Sequence, residues 1–172
     1  MKRMFAMSIV SCLCAVCSGG CTTMAKRTLK EFSGASSDAE AVPGSGGGNF
    51  ARFAGIQIAA PRTDLGGLVS QGFHSQLSAA LRERLISVED APFKGGSPYL
   101  SLEPQVMYYH RGGGLFPDKL AVVLFWFKAD GTDLGRVQIA TRSEASRTGD
   151  ADLADSMAKE LVDYFEDHGK ER

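Results

Sequence analysis

Cysteine is missing from most of this chain. Its four cysteines are Cys12, Cys14, Cys17 and Cys21, and none follows. A disulfide framework would spread them through the fold, so none is expected. Their spacings suggest metal ligands, but they lie in an apolar run with no histidine near, without the folded frame a zinc site needs. Charge of one sign is not in excess either. Nineteen Lys and Arg face twenty Asp and Glu, for a net charge of −1. That balance argues against a nucleic-acid partner. No apolar run is long enough to read as a confident transmembrane helix. What remains is 172 residues that are 44% apolar, enough for one core and too few for two comfortable domains.

The motifs of common chemistries are also lacking. There is no Gly-x-Ser-x-Gly elbow, and His74, His110 and His168 are far apart in sequence. No His-Glu-x-x-His pair occurs, and neither glycine run continues into Lys-Ser or Lys-Thr as a P-loop would. Gly44 to Gly48 follows no strand, so a dinucleotide fingerprint has no context. Asp150, Asp152 and Asp155 suit the positive end of a helix better than a cation. The expectation is a non-enzyme with no metal and no cofactor.

What is present begins at the N-terminus. Met1-Lys2-Arg3 is a short positive segment, Met4 to Val16 is apolar, and Ser18-Gly19-Gly20 is a run of small residues. Residues 1–20 therefore read as a secretory signal cut between Gly20 and Cys21. Gly19-Gly20-Cys21 resembles the lipobox of bacterial lipoproteins, in which the cysteine after the cut is acylated. Ser18 departs from that pattern, which has an aliphatic residue there. Ile9-Val10-Ser11-Cys12 matches its letters but leaves an apolar segment of only about eight residues, so Cys21 is preferred. The resemblance implies a lipid anchor on Cys21. With Thr22 rather than aspartate next, it also implies export to the periplasmic face of the outer membrane.

Residues 21–48 read as the acylated cysteine and a flexible tether, given Ser33 to Ser37 and Gly44 to Gly48. Residues 49–172 read as a single domain. Phe50 to Ala60 predicts a strand. Leu65, Leu68, Val69, Phe73, Leu77, Ala80, Leu81 and Leu85 predict an amphipathic helix that is capped by Thr63 or Asp64 and ends near Ser87. Tyr99 to Arg111 alternates, with Leu100, Leu102, Val106 and Tyr108 on one face and Pro104 marking an edge or a bulge. Leu120 to Phe127 is apolar on both faces and predicts a central strand. Asp130-Gly131 is a turn before a strand over Gly135 to Thr141. A second helix starts near Asp150 or Asp152 and ends at Gly169. The order β-α-β-β-β-α predicts an α+β two-layer sandwich, a four-stranded mostly antiparallel sheet packed by two amphipathic helices.

That order, with the hairpin Lys128 to Arg136, resembles small envelope lipoproteins whose β-α-β-β-β-α domain has no assigned chemistry. The resemblance implies a protein-binding or assembly role in an envelope export or transport system and supplies no catalytic residue. Binding of a lipid or small molecule is the other reading. Two surfaces are candidates for a protein partner or self-association. One is the glycine loop, with Tyr109, Arg111, Gly112, Gly113, Gly114 and Phe116, since tyrosine and arginine favour interfaces. The other is whichever face of the Leu120 to Phe127 strand the two helices leave uncovered, which then meets a partner, a second copy or the tether.

Overall fold

The computed structural model describes residues 34–43, 49–112, 119–143 and 148–169. The strands are β1 (Ala35–Ala41), β2 (Gly55–Ile58), β3 (Arg62–Thr63), β4 (Tyr99–His110), β5 (Leu120–Ala129) and β6 (Thr132–Ser143). Helix α1 spans Gln71–Arg82 and α2 spans Asp150–Gly169. The protein is α+β, with one mixed six-stranded sheet in the order β1-β6-β5-β4-β2, and β3 also pairs with β4. All neighbours are antiparallel except β2 and β3, which run parallel to β4.

The expectation of four strands is corrected to six. Ala35–Ala41, placed by composition in a tether, pairs residue for residue with β6. Serine and alanine have little strand propensity of their own, so pairing with β6 holds this segment extended. Ala35 and Ser37 are buried, and Ser37 Oγ meets Thr141 Oγ1 at 2.7 Å and Ser156 Oγ at 2.8 Å. The buried hydroxyl is thus satisfied rather than stranded.

The first helix starts later than expected. Gly66 has a φ of 60° and opens only a short 3-10 turn, Gly66–Leu68, which leaves Leu68 exposed. Ser70 supplies the cap instead, its Oγ accepting the Phe73 N–H at 3.0 Å. The strand expected over Phe50 to Ala60 is likewise shorter. Asn49 caps a 3-10 turn at Phe50–Arg52 before β2 begins at Gly55.

Pro104 lies within β4, away from the bulge, where one side of β4 is locally an edge. The Leu102 carbonyl accepts the Ala59 N–H at 2.9 Å, and the Val106 carbonyl accepts the Thr63 hydroxyl at 3.0 Å. Backbone groups of this parity therefore face β2 and β3. Pro104 falls in the break between those two short strands, where its missing N–H costs no ladder bond.

The core lies between the helices and one face of the sheet. Phe73, Leu77 and Leu81 of α1 and Leu153, Met157 and Leu161 of α2 are fully buried. They meet Leu100, Leu102, Val123, Phe125, Phe127, Val137 and Ile139 in one cluster. Phe50, Phe127 and Phe165 pack edge to face at 4.9 to 5.4 Å. Burying each such side chain contributes about 1.5–3 kcal/mol.

Candidate functional site

Among the described residues, the same alternation that builds the core leaves the other sheet face without helices. Ala121, Val123, Phe125 and Phe127 of β5 are buried, whereas Leu120, Val122, Leu124 and Trp126 are only partly covered. Strand pairing sets their neighbours in rows across the open face. His110, Leu120, Arg142 and Ser36 form one row, and Tyr108, Val122, Ala140 and Asp38 the next. Arg62, Gln105, Leu124, Gln138 and Glu40 form the third, and Glu103, Trp126 and Arg136 the fourth. An apolar stripe on β5 is thus bordered by polar and charged columns on both sides.

The charged groups are already organised. Lys128 Nζ donates to Glu103 Oε2 at 2.8 Å, and Arg62 stands 3.7 Å from the same oxygen. The Arg136 guanidinium lies 3.7 Å above the Trp126 ring and donates to Asp133 at 2.8 Å, holding that exposed carboxyl below the usual carboxylate range. The buried Trp126 Nε1 has no hydrogen-bond partner among the described residues.

Of the residues singled out from sequence, Gly20, Cys21, Gly113, Gly114 and Phe116 lie outside the described residues. Arg111 is exposed and Gly112 adopts a φ of 70°. Tyr109 is corrected from a surface residue to a buried one, 8% exposed, and Tyr108 from core to surface, 48% exposed. The reason is a β-bulge. Val106 pairs with Val123 but Tyr108 with Val122, so Met107 is an extra residue that reverses the parity of everything after it.

Tyr109 then points at the N-termini of both helices. Its hydroxyl donates to Asp150 Oδ1 at 2.8 Å, and Ser70 Oγ donates to Asp150 Oδ2 at 2.8 Å. Lys119 Nζ stands 3.6 Å from Asp150 Oδ1. Burial, the largest cause, pushes the Tyr109 phenol up from its ordinary value. This cluster ties β4, α1 and α2 together. Asp152 accepts the Gly149 N–H at 2.7 Å, and Asp155 takes Arg84 of the π-turn Glu83–Ser87 in two hydrogen bonds of 2.8 and 3.0 Å. The three acids therefore have three separate jobs. Among the described residues no group of His, Cys, Asp or Glu is placed to hold a metal ion. Nor is any described helix long and apolar enough to cross a membrane.

The histidines lie on α1, at the end of β4 and at the end of α2. His168 stacks on Tyr164 at 4.1 Å. A cleft of about 470 Å³ opens beside the Asp130-Gly131 turn, lined by Phe53, Gln57, Tyr99, Ser101 and Lys128 among others. Sequence reasoning missed Glu103, Arg136, Arg62 and Glu40. Their signal was period-two spacing, with Glu103 and Gln105 on one strand and Arg136, Gln138 and Arg142 on another, but it acquires meaning only once the registers are known.

No protein-family model matches the chain, and no curated protein matches it. Solved structures do. A PelC dodecamer from Paraburkholderia phytofirmans is 13% identical with a TM-score of 0.44, covering 80% of this chain and 99% of that one. A single-substitution variant of that PelC, also a dodecamer, is 15% identical with a TM-score of 0.44, covering 74% and 94%. An uncharacterized protein is 14% identical with a TM-score of 0.35, covering 68% and 88%. At these values no function passes from them to this chain.

Proposed function

We propose that this protein is a non-enzymatic lipoprotein, anchored through an acylated Cys21 at the periplasmic face of the outer membrane, whose α+β domain binds protein in an envelope export or transport assembly. The observation that carries the binding role is the open face of the sheet. Leu120, Val122, Leu124 and Trp126 form a continuous apolar stripe there, next to exposed Tyr108 and Met107. A stripe rimmed by charge suits a protein partner, since interfaces favour aromatic, Met and Arg side chains inside a polar rim. The anchor rests on Gly19-Gly20-Cys21 behind an apolar signal. Ligand binding is the second reading, favoured by the cleft of about 470 Å³ beside Tyr99, a volume within the range of small-molecule sites.

The test is affinity capture of the full chain from crosslinked membranes, read by mass spectrometry, for the natural protein and for Leu124→Lys. A discrete stoichiometric protein captured by the first and lost by the second supports the reading. Equal capture by both refutes the role of the open face, and a small molecule retained through purification shifts the assignment to the cleft.

A further inference from the structure

We infer that the occupant of the open sheet face is a second copy of this chain, packed face to face about a two-fold axis that runs along β5. This rests on the reading of that face as protein-binding and names its partner.

The rows carry the argument. Read across the sheet from β1 to β3, the third row is Glu40, Gln138, Leu124, Gln105, Arg62. The fourth, read from β6 to β4, is Arg136, Trp126, Glu103. Each row is symmetric in shape about β5 and opposite in charge at its two ends. A two-fold axis along β5 lays each row on its own reversed copy. It sets Arg136 against Glu103 of the second copy, Glu40 against Arg62, and amide against amide at Gln105 and Gln138. Leu124 and Trp126 then meet their own counterparts at the centre. This is the self-complementarity that an isologous interface requires.

The other in-plane axis, perpendicular to the strands, fails on the same grounds. It reverses the order of the rows and brings Arg136 against Arg142 of the second copy, both on β6. Of the two axes, the one along β5 pairs opposite charges in the third and fourth rows; in the first it sets Arg142 against His110. That axis also keeps the two Ala35 ends of β1 at the same end of the pair, so both anchors can sit in one membrane. Packed sheets lie about 10 Å apart, a gap that facing Arg and Glu side chains can bridge. The rows span about 24 Å by 24 Å at about 4.8 Å per strand and 3.4 Å per residue. Only the third row spans five strands, so the footprint is at most about 580 Å², below the about 800 Å² per partner of a standard interface. Lys128 also lies on β5, but its ammonium leans to Glu103 at 2.8 Å, away from the axis.

The test co-expresses two differently tagged full chains, crosslinks them in the membrane, and captures one tag while reading the other. The natural pair should co-capture. Glu103→Arg alone and Arg136→Glu alone should each lose self-capture by at least tenfold, because each puts like charges face to face. Glu103→Arg mixed with Arg136→Glu should recover it, since every contact in that mixed pair is again between opposite charges. A pairing within one chain cannot give this recovery. If Glu103→Arg, beside Lys128 and Arg62, fails to melt cooperatively, Glu40→Arg with Arg62→Glu carries the same test. Absence of natural self-capture, or no recovery in the mixed pair, overturns the inference. If self-capture is absent while a different protein is captured in a Leu124-dependent way, the second copy is overturned and the protein-binding reading stands. If neither is seen, both fall.

Discussion

Replacing Tyr109 by phenylalanine removes one oxygen and tests the bulge that decides which tyrosine is inside. The Tyr109 hydroxyl donates to Asp150 Oδ1 at 2.8 Å. Without it Asp150 keeps Ser70 at 2.8 Å and Lys119 at 3.6 Å, so the carboxylate is weakened but not abandoned. A hydrogen bond to a charged group is worth about 1.5–3 kcal/mol, and water reaches the partly exposed Asp150 to replace some of it. The expected loss is therefore about 1–2 kcal/mol, or a fall in Tm of about 2–8 °C for a chain of this size. Tyr108→Phe, on the exposed side of the bulge, should change stability by less than about 0.5 kcal/mol. Thermal and urea unfolding of both variants decide the matter. A larger loss for Tyr108→Phe than for Tyr109→Phe would mean that the parity after Val106 is the regular one and the bulge is misplaced.

The same substitution has a pH signature. Burial raises the Tyr109 phenol above its ordinary value of 10.0, so the folded state holds this proton more tightly than the unfolded chain. The resulting stability is fully present below about pH 10 and is lost as pH rises through the folded value. Tyr109→Phe should flatten part of that alkaline decline. Tyr164, also raised by burial, keeps the rest.

Three further outcomes are expected. Cys21→Ala should abolish acylation and move the protein from membrane to soluble fractions; persistent acylation of the variant, seen by mass spectrometry, would place the anchor on another cysteine. Phe125→Ala, at a fully buried position, should cost about 3–5 kcal/mol, whereas Leu124→Lys on the adjacent open-face position should leave the cooperative melt of an isolated copy nearly unchanged and remove association; equal destabilisation would show that both faces of β5 are covered. Arg84→Ala breaks two hydrogen bonds to Asp155, but both side chains are well exposed, so the loss should stay below about 1 kcal/mol and shrink with added salt in denaturant titrations.

Much of the domain is legible in the sequence because side-chain periodicity is a local property. The alternation from Tyr99 and the apolar run from Leu120 become β4 and β5, and the stripe through Leu153, Met157, Leu161 and Phe165 becomes α2. The failures are non-local. Nothing in Ser36-Ser37-Asp38-Ala39-Glu40 announces a strand, because its extended form is held by the edge of β6 and by Thr141 and Ser156. Met107 resembles any other strand residue, since a bulge is defined by the partner strand's register rather than by its own side chain. That one unseen residue exchanged the roles of Tyr108 and Tyr109, and with them the contents of the candidate surface. The open face suffers in the same way. Its apolar residues are visible in β5, but the charges that border them come from four other strands.

The strand at Ala35–Ala41 also changes the geometry of the proposed anchor. A tether running from Cys21 to residue 48 would have allowed the domain a wide excursion from the bilayer. With the domain beginning at β1, only twelve residues lie between Cys21 and Gly34, and those thirteen steps reach at most about 47 Å whatever their conformation. An anchored domain so confined meets its neighbours mainly by lateral diffusion in one membrane plane. Tethering raises effective concentration toward the millimolar range, so a face too small for tight association in dilute solution can still be occupied at the membrane. That favours a partner carried by the same membrane, and the proposed two-fold axis along β5 would bring both β1 ends out at the same end of the pair.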